Sequence, residues 1–329
     1  MDDIGTALEG ACRRHLHPLA TLVSADRLSA GASSSSWSFV VSAPEWVEPR
    51  KFVVQLFAGG EQYPGTLDKR NQGLVQLAAF AGGVPTPAVR FILEAEDSIG
   101  EGFVVDWQQG ETLGHRIVND PRFAAPRERL LTQCAAALAA IHRIAPEGLP
   151  SLPIRTARQS VDQLISNYRQ FGGGMPIFEL ALRWLHEHLP EIGPICLVHG
   201  DFRVGNFMVD ESGLRSILDW EMAHLGEPME DIGWMMVNAW RFGAIDKPVG
   251  GLGNLDQFLE VYQASDGPPV DRAAIRFWQV FGTLQWGVMC MWFARQYIDG
   301  SVRRIERLAI GRRVSEVQMD LMDLIRGRE

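Results

Sequence analysis

Residues 197–208 read LVHGDFRVGNFM, and LDWE follows at residues 218–221. An apolar, strand-like run stops at a histidine and a glycine, after which Asp201 and Asn206 stand five positions apart. Asp219 follows thirteen positions beyond Asn206. Carboxylate and amide oxygens are the hard ligands that Mg²⁺ prefers, and a carboxylate can orient a hydroxyl for attack on a phosphate. Two carboxylates and an amide therefore stand on loops bounded by short strands, and these residue types are suited to a magnesium site.

Length and charge limit what such a site can serve. The chain has 329 residues, 46% of them hydrophobic and 22% charged, which is typical of a globular protein large enough for two lobes around a cleft. Its formal net charge is −9. Because no overall basic field is available to hold a phosphate backbone, we expect a small-molecule substrate and no nucleic-acid partner.

Cysteine usage and apolar runs bear on location. The four cysteines form no C-x-x-C pair, which favours a reduced compartment, and the N-terminal MDDIGTALEG lacks the pattern of a signal peptide. Residues 277–294 are apolar, but glutamine, glycine and threonine interrupt them. These interruptions indicate a buried helix rather than a membrane span. We expect a cytoplasmic protein with no membrane partner.

Two regions differ in their periodicity. In the first hundred residues, WSFVVSA (37–43) and RKFVVQLFA (50–58) predict an antiparallel hairpin, and GFVVDW (102–107) predicts a further strand. The sequence predicts an α+β fold with a small β-rich lobe at 1–106 and a larger, mainly helical lobe at 107–329. Helical spacing occurs at 67–80, 127–145, 176–190, 255–264, 272–297 and 305–325.

The motif HGDFRVGN (199–206) followed by LDWE matches the intervals of the catalytic and metal loops of protein kinases. It resembles the aminoglycoside phosphotransferase and choline kinase group of small-molecule kinases. GETLGHRI (110–117) and WEMAHLGEPMEDIGW (220–234) are similar to the branch that also occurs fused to acyl-CoA dehydrogenases. The resemblance extends from about residue 28 to residue 300 and implies a protein-kinase-like two-lobe fold.

The same resemblance implies roles for the acidic residues. Asp201 corresponds to the catalytic aspartate, and Asn206 and Asp219 correspond to ligands of Mg²⁺ and complete the catalytic set. Glu221 corresponds to a second-metal or water-mediated ligand. Asp231 is similar to the helix aspartate that holds the catalytic loop through backbone N–H groups. The implied co-substrate is ATP or GTP.

Nucleotide contacts are expected in the small lobe. Ser33, Ser34 and Ser35 belong to a run of small residues ahead of a strand, where backbone N–H groups can approach an anion. A solvated serine loop is the alternative interpretation. The resemblance implies a hinge through Val105, Asp106 and Trp107, where backbone groups meet the purine ring.

The small lobe departs from the family at one charged pair. Kinases of this group carry a lysine or arginine at the end of a strand and a glutamate on the next helix, but the aligned positions here are Gln55 and Gln72. Two amides can hydrogen-bond to each other. Lys51 lies about 13 Å away along an extended strand and is a poor substitute. If the alignment is shifted by a helical turn, Lys69 or Arg70 provides the cation.

Other polar and aromatic residues have less distinctive patterns. We expect His199 to be a packed histidine that shapes the loop, and Arg203 to contact either a phosphate or a neighbouring acid. Tryptophans at helical spacing are most often core residues, and the alternative interpretation is that they line an acyl pocket. They are Trp234, Trp240, Trp278, Trp286 and Trp292.

Three functional hypotheses remain open. The first is a Mg-dependent kinase that phosphorylates a hydroxyl of a small molecule, which the resemblance makes a hydroxyacyl-CoA. The second has the same chemistry with an aminoglycoside or another amino sugar or alcohol as acceptor, which suits an acidic protein. The third is a pseudokinase-like binding module, motivated by Gln55 and Gln72.

Overall fold

The structure, a computed structural model, describes residues 3–28 and 34–327. The N-terminal lobe is built on a five-stranded antiparallel sheet with the order β1-β2-β3-β5-β4. Its strands are rich in β-branched and aromatic residues, as strands with one buried face require. They are β1 Thr21–Arg27, β2 Ser34–Ser42, β3 Arg50–Phe57, β4 Val89–Ile92 and β5 Gly102–Asp106.

The predicted hairpin is confirmed. β2 and β3 pair antiparallel with Trp37 opposite Val54. Because β2 already begins at Ser34, Ser34 and Ser35 belong to a strand and not to the predicted loop, and their backbones pair with the end of β3. The β-ladder outweighs the turn preference of serine here. Ser33 lies outside the described residues.

A helix that was not predicted from the sequence packs on one face of the sheet. This helix, α1, spans Asp3–His15. Its buried Leu8 and Cys12 pack in one cluster with Phe39 and Val54 of the sheet. The helix therefore completes a core of the small lobe that is separate from the larger core of the molecule.

The segment between β3 and the next helix crosses to the large lobe. Helix α2, Lys69–Ala81, begins at Asp68, whose side chain accepts a hydrogen bond from the Asn71 N–H. Ahead of it, Tyr63 is buried with its ring 5.4 Å from that of Trp292 and packs in the core of the C-terminal lobe. The two lobes are therefore joined by this segment as well as by the chain after β5.

The C-terminal lobe is mainly helical and also carries two small antiparallel sheets. β6 Cys196–Val198 pairs with β9 His224–Gly226, and β7 Phe207–Asp210 pairs with β8 Gly213–Ile217. The helices are α3 Gly114–Asn119, α4 Ala124–His142, α5 Ala157–Phe171, α6 Pro176–Glu187, α7 Met229–Met235, α8 Leu255–Ala264, α9 Arg272–Ile298, α10 Ile305–Gly311 and α11 Val314–Arg326.

The long apolar segment lies inside α9, most of whose side chains are buried against other helices of the large lobe. Across residues 3–28 and 34–327, no helix combines the length and apolar character that a membrane span requires. The segment 305–325, predicted as one helical region, forms two helices that are separated at residues 312–313.

The predicted α+β two-lobe organisation is confirmed, with a five-stranded sheet in the small lobe and helices over most of the remainder. β5 ends at Asp106. We propose that the small lobe comprises residues 1–106 and the large lobe residues 107–329.

Helix α1 is expected to contribute measurably to stability. Leu8 is fully buried, whereas Leu19 is 63% exposed. Leu8→Ala should lower the free energy of unfolding by about 2–5 kcal/mol, because it removes packed methyl groups and leaves a cavity. Leu19→Ala, the matched control, should change it by less than about 0.5 kcal/mol. Urea unfolding of both variants checks this, and equal stabilities would contradict the packing of α1.

Candidate active site

One buried carboxylate organises the turn that follows β6. Asp231, on α7, accepts hydrogen bonds from the backbone N–H groups of His199 (2.8 Å) and Gly200 (2.9 Å). His142 Nε2 lies 3.1 Å from the same carboxylate, and His142 Nδ1 lies 2.6 Å from the Tyr262 hydroxyl. Although burial opposes the charge, these hydrogen bonds and the nearby histidines hold the pKa of Asp231 below its ordinary value.

Gly200 is required at this turn for two geometric reasons. Its φ is +77°, and a Cβ atom would lie 2.4 Å from the Met222 carbonyl oxygen. A side chain would therefore meet backbone as well as an unfavourable conformation. The glycine of the HGD motif lets the catalytic loop approach the segment that follows Asp219.

His199 is a structural residue, as the sequence indicates. Its Nδ1 accepts the Asp201 N–H at 3.2 Å, so Nε2 carries the proton and donates to the Leu218 carbonyl at 3.2 Å. Burial lowers the pKa of His199. The neutral ring links the catalytic loop to the end of β8.

The carboxylate of Asp201 is held by three donors. Arg203 Nε and Trp234 Nε1 each donate to Oδ1 at 2.8 Å, and Asn206 Nδ2 donates to Oδ2 at 2.5 Å. Of the two expectations for Arg203, the structure has the pairing with a neighbouring acid, and the guanidinium also lies 4.6 Å from the Trp240 ring centroid. Trp234 is buried, as expected of a core tryptophan, but it also contacts the candidate catalytic group.

Asn206 and Asp219 are brought together by the backbone. The Leu218 N–H donates to the Asn206 carbonyl at 2.9 Å. Because Asn206 Nδ2 is directed at Asp201, its Oδ1 is left as an acceptor. Asp219 has φ +67°, a conformation that costs energy for a residue with a side chain and often occurs at functional sites.

Negative charge accumulates around Asp219. Burial and the charges of Glu221 and Asp201 raise the pKa of Asp219 above its ordinary value. In the described part of the chain, no side chain donates a hydrogen bond to this carboxylate, and no group of three or more His, Cys, Asp or Glu residues is arranged to hold a metal. An amide oxygen beside one or two carboxylates nevertheless fits Mg²⁺, which usually takes few protein ligands.

A buried lysine lies beside this acidic group. Lys69 is 2% exposed, and its Nζ donates to Gln72 Oε1 at 2.8 Å. Burial lowers the pKa of Lys69, while the carboxylates of Asp219 and Glu221 oppose that shift. The proposed amide–amide hydrogen bond is absent, because Gln72 bonds to Lys69 and to a backbone carbonyl, and Gln55 makes no side-chain hydrogen bond within residues 34–327.

The candidate hinge follows β5. Val105 is buried in the sheet, and Trp107 is 37% exposed with Lys51 Nζ 3.7 Å from its ring centroid. The Trp107 N–H donates to the Lys51 carbonyl at 3.1 Å, so it is not available to a ligand. Among residues 34–327, the backbone N–H of Gln108 has no acceptor. The sequence analysis overlooked this next position of the hinge.

A cavity of about 230 Å³ borders Gly200, between residues 63–65, α5 and α9. Its lining combines apolar side chains with polar ones of both charges, including several amides, one arginine and one glutamate. The polar lining residues include Arg155, Gln163, Asn167, Glu230 and Gln285.

The hydrogen bonds of Asp231 predict a pH-dependent contribution to stability. The pKa of Asp231 is lower in the folded protein than in the unfolded chain, where it is about 3.9. The ionised carboxylate therefore stabilises the fold fully above the unfolded pKa, and this contribution is lost as the pH falls through the folded pKa. Asp231→Asn should lower the stability at pH 7 by about 1–3 kcal/mol, because one buried N–H loses its acceptor. The deficit should narrow in acid.

Chemical unfolding of this variant at pH 7 and at pH 3 checks the prediction. Asp162→Asn, on the exposed face of α5, is the matched control and should leave the free energy of unfolding unchanged at both pH values. A deficit of the same size at both pH values would show that the charge of Asp231 contributes nothing.

Comparisons with known proteins agree with the resemblance inferred from the sequence. Acyl-CoA dehydrogenase family member 10 of Mus musculus is 24% identical over 261 residues, which cover 72% of this chain and 24% of that protein. The chain thus spans only a small part of that relative's length.

Solved structures share the fold. A protein of Ralstonia eutropha described as a candidate aminoglycoside phosphotransferase superposes with a TM-score of 0.75 at 20% identity, covering 98% of both chains. The aminoglycoside phosphotransferase APH(4)-Ia, in complex with AMP-PNP and hygromycin B, gives 0.60 at 17% identity, also covering 98% of both. The model of the phosphotransferase enzyme family matches residues 25–278, and this chain belongs to that family.

Proposed function

We propose that this protein transfers the γ-phosphoryl group of ATP or GTP to a hydroxyl of a small molecule. The observation that carries the proposal is the arrangement of Asn206. Its Nδ2 bonds to Asp201 and leaves Oδ1 as an acceptor, while its backbone carbonyl bonds to the N–H of Leu218, the residue before Asp219. Family membership supports the reaction class. The roles of individual residues follow from their chemistry.

Asp201 is proposed to orient the acceptor hydroxyl. The hydroxyl oxygen attacks the γ-phosphorus, the bond from phosphorus to the β–γ bridging oxygen breaks, and the hydroxyl proton passes to the Asp201 carboxylate. Arg203 and Trp234 hold this carboxylate from one side and Asn206 from the other. Such fixed positioning is the main protein contribution to phosphoryl transfer.

Mg²⁺ is the proposed metal, with Asn206 Oδ1, Asp219 and Glu221 as its protein ligands. When bound, it neutralises charge on the β- and γ-phosphate oxygens. The negative charge that raises the pKa of Asp219 favours a cation at this point.

The nucleotide is proposed to lie between the sheet and the large lobe. The purine contacts Val105 and Trp107, and we add the Gln108 N–H as the hinge donor, since it has no other acceptor within residues 34–327. Ser34 and Ser35 at the start of β2 and Gln55 near the end of β3 are proposed to lie on the phosphate side of the nucleotide, where the two strands pair. Ser33 remains a prediction from the sequence outside the described residues.

Two acceptor classes are proposed. The similarity to part of an acyl-CoA dehydrogenase family member supports a hydroxyacyl-CoA, whereas the net charge of −9 supports a cationic aminoglycoside or another amino alcohol. The cavity beside Gly200 holds charges of both signs and falls below the usual range of about 300–1,000 Å³ for ligand pockets. It suits a small polar part of either acceptor.

A pseudokinase-like binding module is the alternative proposal. Its motivation is the neutral pair Gln55 and Gln72. The buried cation at Lys69 favours an anionic ligand in the cleft, because a buried charge without a partner is costly. The three donors that hold the Asp201 carboxylate favour the enzyme, because they fix the group that would orient the hydroxyl.

Replacing the carboxylate tests the enzymatic proposal. Asp201→Asn keeps the shape of the side chain but cannot accept the hydroxyl proton, so we expect kcat to fall by about 10²–10⁴-fold with little change in nucleotide Kd. The assay is the release of ADP or GDP with Mg²⁺ over hydroxyacyl-CoAs and amino sugars, with calorimetric titration for binding.

Asp162→Asn, the exposed matched control, should retain wild-type turnover. If the wild type binds Mg-nucleotide but transfers no phosphate to any acceptor tested, the binding-module alternative gains support. Unchanged turnover in Asp201→Asn would refute the catalytic assignment.

The indole of Trp234 is proposed as a positioning group. Trp234→Phe removes the N–H that donates to Asp201 and retains an aromatic ring. Since a hydrogen bond to a charged group contributes about 1.5–3 kcal/mol, kcat should fall by about tenfold or more, with nucleotide KM nearly unchanged. Trp292→Phe is the matched control, because Trp292 is buried and its Nε1 has no hydrogen-bond partner among the described residues. Equal effects of the two substitutions would contradict this role.

A further inference from the structure

We propose that Lys69 supplies the cation that contacts the nucleotide phosphates in this cleft, so that the charge missing from strand position Gln55 is provided from the first turn of α2. This inference rests on the proposed phosphotransferase function. It assigns to the chain a phosphate-binding residue that lies on a helix and not on β3.

The burial of Lys69 is the first argument. Lysine is almost never fully buried without a charged partner, because removing an ammonium from water is costly. Lys69 is 2% exposed, yet within residues 34–327 it forms no ion pair, and its only side-chain hydrogen bond is to Gln72. Two of its three N–H donors are therefore available to a ligand.

The location of Lys69 is the second argument. On the inner face of α2, Gly73 lies so close to β5 that a Cβ atom would be 3.0 Å from the Phe103 ring. Phe103 is opposite Gln55 in the register of β3 and β5. Lys69 is one helical turn before Gly73 on the same face, and helical side chains tilt toward the N-terminus. Lys69 therefore lies on the face of α2 that meets the Gln55 region, and the charges of Asp219 and Glu221 act on its ammonium.

Hydrogen bonds fix the base of the lysine against that loop. Gln72 Nε2 donates to the Leu67 carbonyl at 2.6 Å, which turns Oε1 toward Lys69. The Leu67 N–H donates to the Glu221 carbonyl at 2.7 Å. The start of α2 and the candidate metal loop are thus held together, and a triphosphate at the metal would lie within reach of the lysine.

The local charges give the third argument. The carboxylates of Asp219, Glu221 and Glu101 all act on Lys69 and oppose the effect of its burial. Phosphates that approach this acidic group are repelled unless cations are present. A lysine ammonium is a compact charge on a flexible stem and is well suited to contact phosphate oxygens.

Calorimetric titration with Mg²⁺ and either AMP-PNP or adenosine tests the proposal. Lys69→Met should weaken AMP-PNP binding about ten- to a hundredfold, because a charge-assisted contact is lost, and should leave adenosine binding unchanged. Arg70→Met, an exposed cation one residue away, is the matched control and should bind AMP-PNP as the wild type does. Adding Gln55→Lys to Lys69→Met should restore AMP-PNP affinity.

Each possible result has a distinct meaning. If Lys69→Met binds AMP-PNP as tightly as the wild type, or loses adenosine and AMP-PNP affinity equally, Lys69 does not contact the phosphates and the inference is wrong while the proposed function stands. If Gln55→Lys fails to restore affinity, the relocation of the charge is refuted. If the wild type binds no Mg-nucleotide, the proposed function fails and takes this inference with it.

Discussion

The loop that follows β6 and carries the proposed catalytic residue depends on the Asp231 carboxylate, which accepts hydrogen bonds from the consecutive backbone N–H groups of His199 and Gly200. These donors follow a fully buried strand, where unpaired N–H groups would be costly. Once the turn is fixed, His199 bonds to the Leu218 carbonyl, and the Asp219 segment is held beside the loop. A single buried charge, supported by His142, thus determines the relative position of the groups that meet at the candidate site.

Much of this arrangement could be predicted because the relevant signals are local. The spacing of Asp201, Asn206 and Asp219 reflects two short loops between strands, and each loop reverses the chain within a few residues. Likewise, the hairpin of β2 and β3 follows from runs of β-branched and aromatic residues. The expected role of Asp231 came from family resemblance, and its hydrogen bonds in the structure are those that such a role requires.

Other features depend on tertiary contacts that no local pattern reveals. The sequence predicts Trp234 to be a core residue, because it is apolar and at helical spacing. Its indole N–H donates to Asp201 only because α7 packs against the loop that carries Asp201. Helix α1 is different, because Leu8, Ala11 and Cys12 form an apolar stripe at helical spacing that was present in the sequence and was overlooked. The serines at the start of β2 form a strand in spite of the turn preference of serine, because pairing with β3 supplies their backbone hydrogen bonds.

The neutral pair at Gln55 and Gln72 illustrates the same limit for charge. Strand β3 has a glutamine at the position of the expected cation, and the lysine on the same face of that strand, Lys51, is distant. Electrostatic interactions depend on distance and burial in space, not on which element carries the group. In the folded chain, α2 brings Lys69 to the acidic group, and Gln72 holds the lysine, a role that a glutamine fulfils through its amide oxygen. The loss of an ion pair in sequence is therefore compatible with a cleft that keeps its positive charge.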